Sequence, residues 1–391
     1  MKIAMIGQKG IPAKYGGIEQ HVQELSLRLV QAGQNVTVYS RKWYTEEGNQ
    51  NFQGINVEIT PNIHTKHLDA ISHTFASTLD AIIQKYDIIH YHGVGPALLS
   101  WIPRIFAPHI KVVTTFHCID RQHQKWGVFA KLMLRIGERA ACKFAHETIT
   151  VSRSLQNYCI NEYNADTHYI PNGVTENTKT PGIINIEKIG LEPKNYFTMI
   201  SRLVRHKGVH TLIHAFIRMK EMYPQDEKIQ NMKLAIAGGS AFTDEYVEEL
   251  HRMAEGRKDI LFTGFISGDL LEELFAHAKT LVHPSLNEGL PLTVLQAMSY
   301  GTPSIVSDIS EHRELIPTPE AFVPINDVYS LAQKMYEFAH MSEEQLSLMG
   351  EEQKEISRNL YSWDIITTTT LQLYEKKIDT RSIKERILKR A

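Results

Sequence analysis

The sequence predicts an α/β protein made of two doubly wound domains, each a mostly parallel sheet with helices on both faces. Three observations carry that prediction. At 391 residues the chain exceeds what one hydrophobic core supports, since single cores stop growing near about 250–300 residues. Short runs rich in Ile and Val alternate with longer helical patterns, which is the rhythm of a buried parallel sheet. That rhythm breaks over residues 174–195, a polar stretch with Pro and Gly and no sustained apolar period, and then begins again.

The first half supplies strands in KIAMIG (2–7), NVTVYSR (35–41), DIIHYH (87–92), KVVTTFH (111–117) and ETITVS (147–152). The second supplies YFTMISR (196–202), KLAIAGG (233–239), DILFTGF (259–265), KTLVHPS (279–285) and TPSIVSD (302–308). The expected domains are residues 1–175 and 190–360, facing each other across a cleft. In such sheets ligands sit beyond the carboxyl ends of the strands, so the loops there are where chemistry is sought.

Composition narrows the function classes. Apolar residues at 42% and charged residues at 22% fit an ordinary folded protein, and a net charge of -2 gives no global attraction to nucleic acid. Basic residues nevertheless cluster between Trp101 and His146, and again after Tyr374. Cys118, Cys142 and Cys159 lack metal-type spacing and read as reduced thiols of a cytosolic protein. The opening apolar run is too short for a signal peptide, and no uninterrupted run reaches the length of a transmembrane helix.

The first loop, GQKGIPAKYGGIEQHVQEL, carries Gly7, Gly10, Gly16 and Gly17 into an amphipathic helix. Glycine lets backbone approach a ligand, and a helix start attracts anions, although the spacing is not the dinucleotide fingerprint. SRLVRHKG places Arg202, Arg205, His206 and Lys207 after its strand, a set suited to a diphosphate or, more plainly, a solvated basic turn. In HPSLNEGLPLTVLQAMSYG, Pro291 suits the first helical position. Amides over 289–293, including Gly289, Leu290, Leu292 and Thr293, are then directed at the cleft, with Glu288 just outside the helix ready to accept from ligand hydroxyls. Thr293, Gln296 and Tyr300 share one helix face. His117 ends one strand and His90 and His92 another, without the regular spacing of a metal site, so no metal is expected. The chain contains no D-x-D pair, which argues against a diphosphate held through a metal.

Together these features resemble the retaining glycosyltransferases of GT-B fold, specifically glycosyltransferase family 4. The matching pieces are the Gly-rich first loop, TTFH, IPNGV (170–174), SRLVRHKG, AGG (237–239), FTGF (262–265) and NEGLPLTVLQAMSYGTPSIVSD (287–308), in order over nearly the whole chain. YSWDIITTTTLQLYEKK looks like the family's final helices, which cross back onto the first domain, so residues of about 361–391 join it. The resemblance implies an acceptor-side first domain and a nucleotide-sugar-binding second domain. Arg202 and Lys207 would hold the donor diphosphate, Gly17 would offer its amide beside Gly16, Glu288 would bind sugar hydroxyls, and His117 would lie beside the reacting sugar. The region around Phe265 would touch the nucleobase.

The family usually carries a glutamate where this chain has Gln296, gripping the ribose hydroxyls. An amide bonds a hydroxyl without the charge, so the donor carrier is left open among UDP, GDP and dTDP. The GQKGIPAKYGGIE loop also looks like that of bacterial polysaccharide-building members, including rhamnosyltransferases. The resemblance implies front-face transfer with retention to a saccharide or lipid-linked acceptor, without metal or protein nucleophile. Loops 42–75 and 119–130 would shape the acceptor site. WGVFAKLMLRIGERAACKF (126–144), which mixes apolar and basic residues, is expected to be either a buried domain helix with a basic edge or a peripheral contact with the inner face of the cytoplasmic membrane. Competing readings are a sugar-nucleotide epimerase or hydrolase on the same fold, and a noncatalytic sugar-nucleotide-binding protein; the glycine spacing disfavours a dehydrogenase.

Overall fold

The structure, a computed structural model, describes residues 1–46, 50–65, 68–122, 127–241 and 243–378. Trp126 and the basic tail residues Arg381, Lys384, Arg386, Lys389 and Arg390 lie outside them. The chain divides into two compact units, one of Met1–Gly173 with the described part of Trp363–Ala391, the other of Val174–Ser362.

In chain order the first unit contains β1 (Lys2–Ile6), α1 (Gly17–Gln31), β2 (Asn35–Arg41), β3 (Asn51–Phe52), β4 (Ile55–Thr60), α2 (Asp69–Ile83), β5 (Ile88–His92), α3 (Val94–Ala97), α4 (Trp101–Phe106), β6 (Lys111–Phe116), α5 (Val128–Phe144), β7 (Glu147–Thr150), α6 (Arg153–Tyr163) and β8 (His168–Tyr169). The second contains α7 (Ile184–Lys188), β9 (Tyr196–Ile200), α8 (Val209–Met222), α9 (Glu227–Asn231), β10 (Lys233–Ala237), α10 (Asp244–Met253), β11 (Ile260–Gly264), α11 (Asp269–His277), β12 (Thr280–His283), α12 (Leu292–Ser299), β13 (Ser304–Ser307), α13 (Ser310–Arg313), β14 (Phe322–Val323), α14 (Val328–His340) and α15 (Glu343–Tyr361). Then α16 (Trp363–Glu375) returns to the first unit and packs on α1.

The first sheet has the order β3-β4-β2-β1-β5-β6-β7-β8, parallel except for the β3–β4 pair. The second has the order β11-β10-β9-β12-β13-β14 and is parallel throughout. Each strand predicted from the sequence is present, trimmed by a residue or more in most cases. β3, β4, β8 and β14 were not predicted. β8 and β14 are two-residue pairings, and β4 alternates buried Ile55 and Val57 with exposed Asn56 and Glu58, so neither type shows a continuous apolar run.

Strand alternation sorts the first core into two layers. Ile3 and Met5 pack beneath α1 with Val22, Leu25 and Leu29, and α16 adds Trp363, Ile366, Leu373 and Tyr374. Ala4 and Ile6 face the opposite layer with Tyr39, Ile89, Tyr91 and Val112. In the second unit Phe197, Met199, Leu234 and Ile236 pack against Leu212, Phe216 and Met219 of α8 and Met335 and Phe338 of α14. Such fully buried Ile, Val and Phe runs are what a sheet covered on both faces requires.

Each sheet reverses its winding once near its centre, between β1 and β5 in the first unit and between β9 and β12 in the second. Loops leaving neighbouring strands there run to opposite faces and leave a crevice at the carboxyl ends. The Gly-rich loop, His92 and His117 lie at that end of the first sheet. The loops 201–208 and 284–291 lie at that end of the second.

Candidate active site

In the second unit the strand order brings together two loops that are far apart in sequence. The amide of Leu286 donates to the carbonyl of His206 at 2.8 Å. Gly208, at φ 74°, sits so close that a Cβ would collide with the Pro284 carbonyl oxygen, and a side chain there would also strain the backbone. The stitching places Lys207 Nζ 2.5 Å from Glu288 Oε1. The same oxygen accepts from Ser285 Oγ at 2.6 Å and meets His283 Nε2 at 2.9 Å.

Burial alone would raise the Glu288 pKa, but Lys207 and His283 outweigh it and hold the carboxyl well below its usual range. It is therefore an anion that keeps Oε2 without a hydrogen-bond partner among the described residues. His283 is shifted down, chiefly by burial. Arg202 is exposed and forms no ion pair among the described residues, whereas Arg205 pairs with Glu249. Lys207 and Glu288 thus form one unit, with Arg202 left at its surface.

Pro291 is the residue before α12 rather than its first residue, because its ψ of 105° is extended. Leu292 and Thr293 therefore begin the helix, and their N–H groups have no carbonyl earlier in the helix to bond. Gly289 and Leu290 are buried, while Leu292, Thr293, Gln296 and Tyr300 are all half-buried. Thr293, Gln296 and Tyr300 lie on one face, and the Gln296 side chain has no partner among the described residues. Phe265 is 59% exposed just past β11.

In the first unit Gly16 precedes α1 at φ 106°, and a side chain there would collide with the carboxylate of Glu19, which also accepts from the Lys9 amide at 3.1 Å. Gly17 is the first helical residue. His117 follows β6 and is 8% exposed. Its Nε2 lies 3.3 Å from His92 Nδ1, and the two rings are nearly parallel. His21 on α1 stands edge-on to His117 with centroids 4.9 Å apart.

His21, His92 and His117 each offer a ring nitrogen, all within 4.8 Å of one another. The sequence expectation was that His90, His92 and His117 do not form a metal set; the fold instead brings His92 and His117 together with His21, at a separation a metal ion would accept, because β5, β6 and α1 converge there. His90 is not in the trio, being held by Tyr374 Oη at 2.6 Å and Thr115 Oγ1 at 2.7 Å. Sequence reasoning missed His21, Ser285, His283 and Glu19. All four stand inside stretches that were quoted, KTLVHPS and GQKGIPAKYGGIEQHVQEL, but nothing in the local pattern singles them out.

Comparison with known proteins gives the family and the fold. Residues 15–177 match the family model described as Glycosyltransferase Family 4, and residues 184–359 match that described as Glycosyl transferases group 1. An uncharacterised glycosyltransferase of Methanocaldococcus jannaschii is 25% identical over 96% of this chain and 98% of its own. The O-antigen chain mannosyltransferase C of Escherichia coli is 23% identical over 98% of this chain and 100% of its own. Among solved structures, Anabaena HepE in complex with UDP and glucose superposes with a TM-score of 0.77 at 19% identity, covering 96% of this chain and 100% of that one. Two such models, matched one after the other along a chain of two parallel-sheet units, make this protein a GT-B glycosyltransferase of family 4.

Proposed function

We propose that the protein transfers a glycosyl group, with retention and without a metal, from a nucleoside-diphosphate sugar to a saccharide or lipid-linked acceptor of bacterial polysaccharide synthesis. The observation that carries the proposal is the Lys207–Glu288 pair, half-buried where the loops after β9 and β12 are stitched together.

Breaking the bond between the anomeric carbon and the phosphate oxygen puts negative charge on the leaving diphosphate. Arg202, Lys207 and the first amides of α12 are positive groups available at these strand ends, and preorganised charge of this kind is the largest single contribution to many such reactions. Glu288, already ionised, uses its open oxygen to accept from sugar hydroxyls. As the acceptor oxygen forms its bond to the anomeric carbon, its proton passes to the leaving phosphate, so no side chain acts as nucleophile. Gly16 and Gly17 bring backbone amide to the diphosphate, His117 meets the sugar, and the backbone around Phe265 meets the base. Domain roles follow: the second unit holds the nucleotide sugar and the first serves the acceptor.

A structural neighbour is in complex with UDP and glucose, which supports a UDP-linked donor, and a full-length relative is named a mannosyltransferase, which supports a hexosyl group as the one transferred; GDP stays open as a carrier. Gln296 keeps dTDP-sugars, including a rhamnosyl donor, in the comparison. A thermal-shift screen with UDP, GDP and dTDP and their sugars names the carrier, because selective binding stabilises the fold by mass action. With that donor, Arg202→Ala and Lys207→Ala each lower turnover by at least about 100-fold. Full activity in both would sink the assignment.

The first unit also exposes Phe129, Leu132 and Ile136 on α5 beside Trp101, Ile105 and Phe106 on α4, with Lys131, Arg135 and Arg139 exposed on the same helix. Apolar rings among cations suit an anionic bilayer surface, where a lipid-linked acceptor would be met from the cytoplasmic side. No helix among the described residues is long and apolar enough to cross a membrane. Flotation with vesicles containing about 30% anionic lipid should carry the protein upward, less so for Phe129→Ser/Leu132→Ser; equal flotation with neutral vesicles would refute this face.

A further inference from the structure

Three buried histidines of the first unit come from three separate elements. His92 is the last residue of β5 and pairs with Thr115 of the neighbouring β6. His117 follows two residues on and so falls on the same face of the sheet. His21 lies one turn into α1, on the stripe that carries Leu25 and Leu29 against that face. Strand order and helix packing, rather than any local spacing, therefore bring the three rings together.

Their separations are those of a ligand set. At the usual Zn–N distance of about 2.0–2.1 Å, nitrogens in a tetrahedral site stand about 3.3–3.4 Å apart. His92 Nδ1 and His117 Nε2 are 3.3 Å apart, and each of the three rings offers a nitrogen within 4.8 Å of the others. One N–H···N bond would account for the contact between His92 and His117, but it leaves His21 unexplained. His21 Nδ1 is buried and has no hydrogen-bond partner among the described residues. A polar atom left in that condition is unfavourable and calls for a partner. Behind the trio, His92 Nε2 meets Met5 Sδ at 3.4 Å and His21 is hydrogen-bonded to Asn172. Metal-bound imidazoles are ordinarily oriented in this way, by a contact of the nitrogen that does not face the ion.

We propose that His21, His92 and His117 form a binding site for a divalent transition-metal ion of the zinc class, with a fourth coordination position open to water. All three ligands are imidazole, which suits Zn²⁺, Co²⁺ or Ni²⁺ and does not suit Mg²⁺ or Ca²⁺, whose ligands are oxygens. Three protein ligands and one open position is the arrangement of zinc sites that exchange their fourth ligand. An ion held there ties α1 to the ends of β5 and β6, and with α1 the Gly-rich loop that enters it at Gly17. The ion takes no part in the transfer step proposed above, whose cations Arg202 and Lys207 belong to the second unit, and the site does not rest on that reading.

The full chain, freed of metal with a chelator and titrated with Zn²⁺, should bind one equivalent, and its thermal midpoint should rise because the ion binds the folded form. Co²⁺ in place of Zn²⁺ should give the intense visible bands of four-coordinate cobalt, and X-ray absorption at the zinc edge should show three imidazole ligands. His21→Gln and His92→Gln should each weaken Zn²⁺ binding by about 100-fold or more, since even the loss of a group behind a ligand costs about 10–100-fold. Absence of one-to-one binding overturns the inference, and so does a zinc-edge spectrum with fewer than three imidazoles. Affinity unchanged in both variants would assign the ion to other histidines and overturn it as well. Should circular dichroism show that the variants are poorly folded, the zinc-edge spectrum of the unsubstituted chain decides alone. Transfer assayed with and without chelator tests the metal-free reaction of the proposed function, and neither result alters what the titration says of the trio.

Discussion

Glu288 shows how one side chain is fixed by several others. Its Oε1 gathers Lys207, Ser285 and His283, and the Lys207 and Glu288 side chains are only 13% and 9% exposed. A pair so largely shielded from water is weak evidence of net stabilisation, because desolvation offsets the attraction, but removing one partner strands the other. Lys207→Met should therefore destabilise the protein by about 3 kcal/mol in denaturant unfolding. Adding Glu288→Gln should return a substantial part of that loss, since no buried charge is then left alone. Strictly additive effects of the two changes would mean that the pair is not coupled. Arg202, by contrast, was singled out for the same role by its place after β9 and stands exposed, so its substitution should alter turnover with little effect on stability.

At the scale of elements, the docking of α16 depends on a residue the sequence did not mark. Lys111, the first residue of β6, is buried and points its ammonium at the carbonyl end of α16, donating to Tyr374 O at 3.1 Å and Lys376 O at 2.7 Å, with Leu373 O a further partner. The last carbonyls of a helix have no intrahelical donor and carry the negative end of its dipole, so a cation there satisfies both. Burial lowers the Lys111 pKa, and Glu147 offsets that in part. Lys111→Met should weaken α16 by about 1–3 kcal/mol. Amide exchange read along the chain should show α16 losing protection before β6 does; uniform loss, or none, would contradict this cap. The glycines were easier to read, because SRLVRHKG and the Gly-rich loop sit where strands give way to helices. Yet the reason Gly208 is required, contact with Pro284, appears only once β9 and β12 are neighbours.

For the molecule as a whole, buried neutral histidines set the response to acid. Burial lowers His21 and His73 to about 4, and His90 and His312 to about 3, with smaller contributions from nearby charges and rings. These folded values lie below the unfolded value near 6.5, so as pH falls the unfolded chain takes up protons first and stability declines from about pH 6.5 downward. Each such group contributes about 1.4 kcal/mol per pH unit over its window. Glu288 adds to the decline at lower pH, because a depressed carboxylate stabilises the fold above its unfolded value near 4.5 and loses that as it is protonated. Thermal unfolding should be nearly flat from pH 7.5 to 8.5 and fall steeply below about pH 6. A midpoint as high at pH 5 as at pH 8 would show that these histidines are charged in the folded protein. Local pattern determined the parallel sheets and the loops that carry Gly17, Arg202, Lys207 and Glu288, because burial on both faces and turn chemistry are written in neighbouring residues. Only the tertiary structure decided that Lys207 meets Glu288 across 81 positions, or that His21 joins His92 and His117. Such pairings depend on which strands lie side by side and which helix covers them, and no short stretch of chain encodes that order.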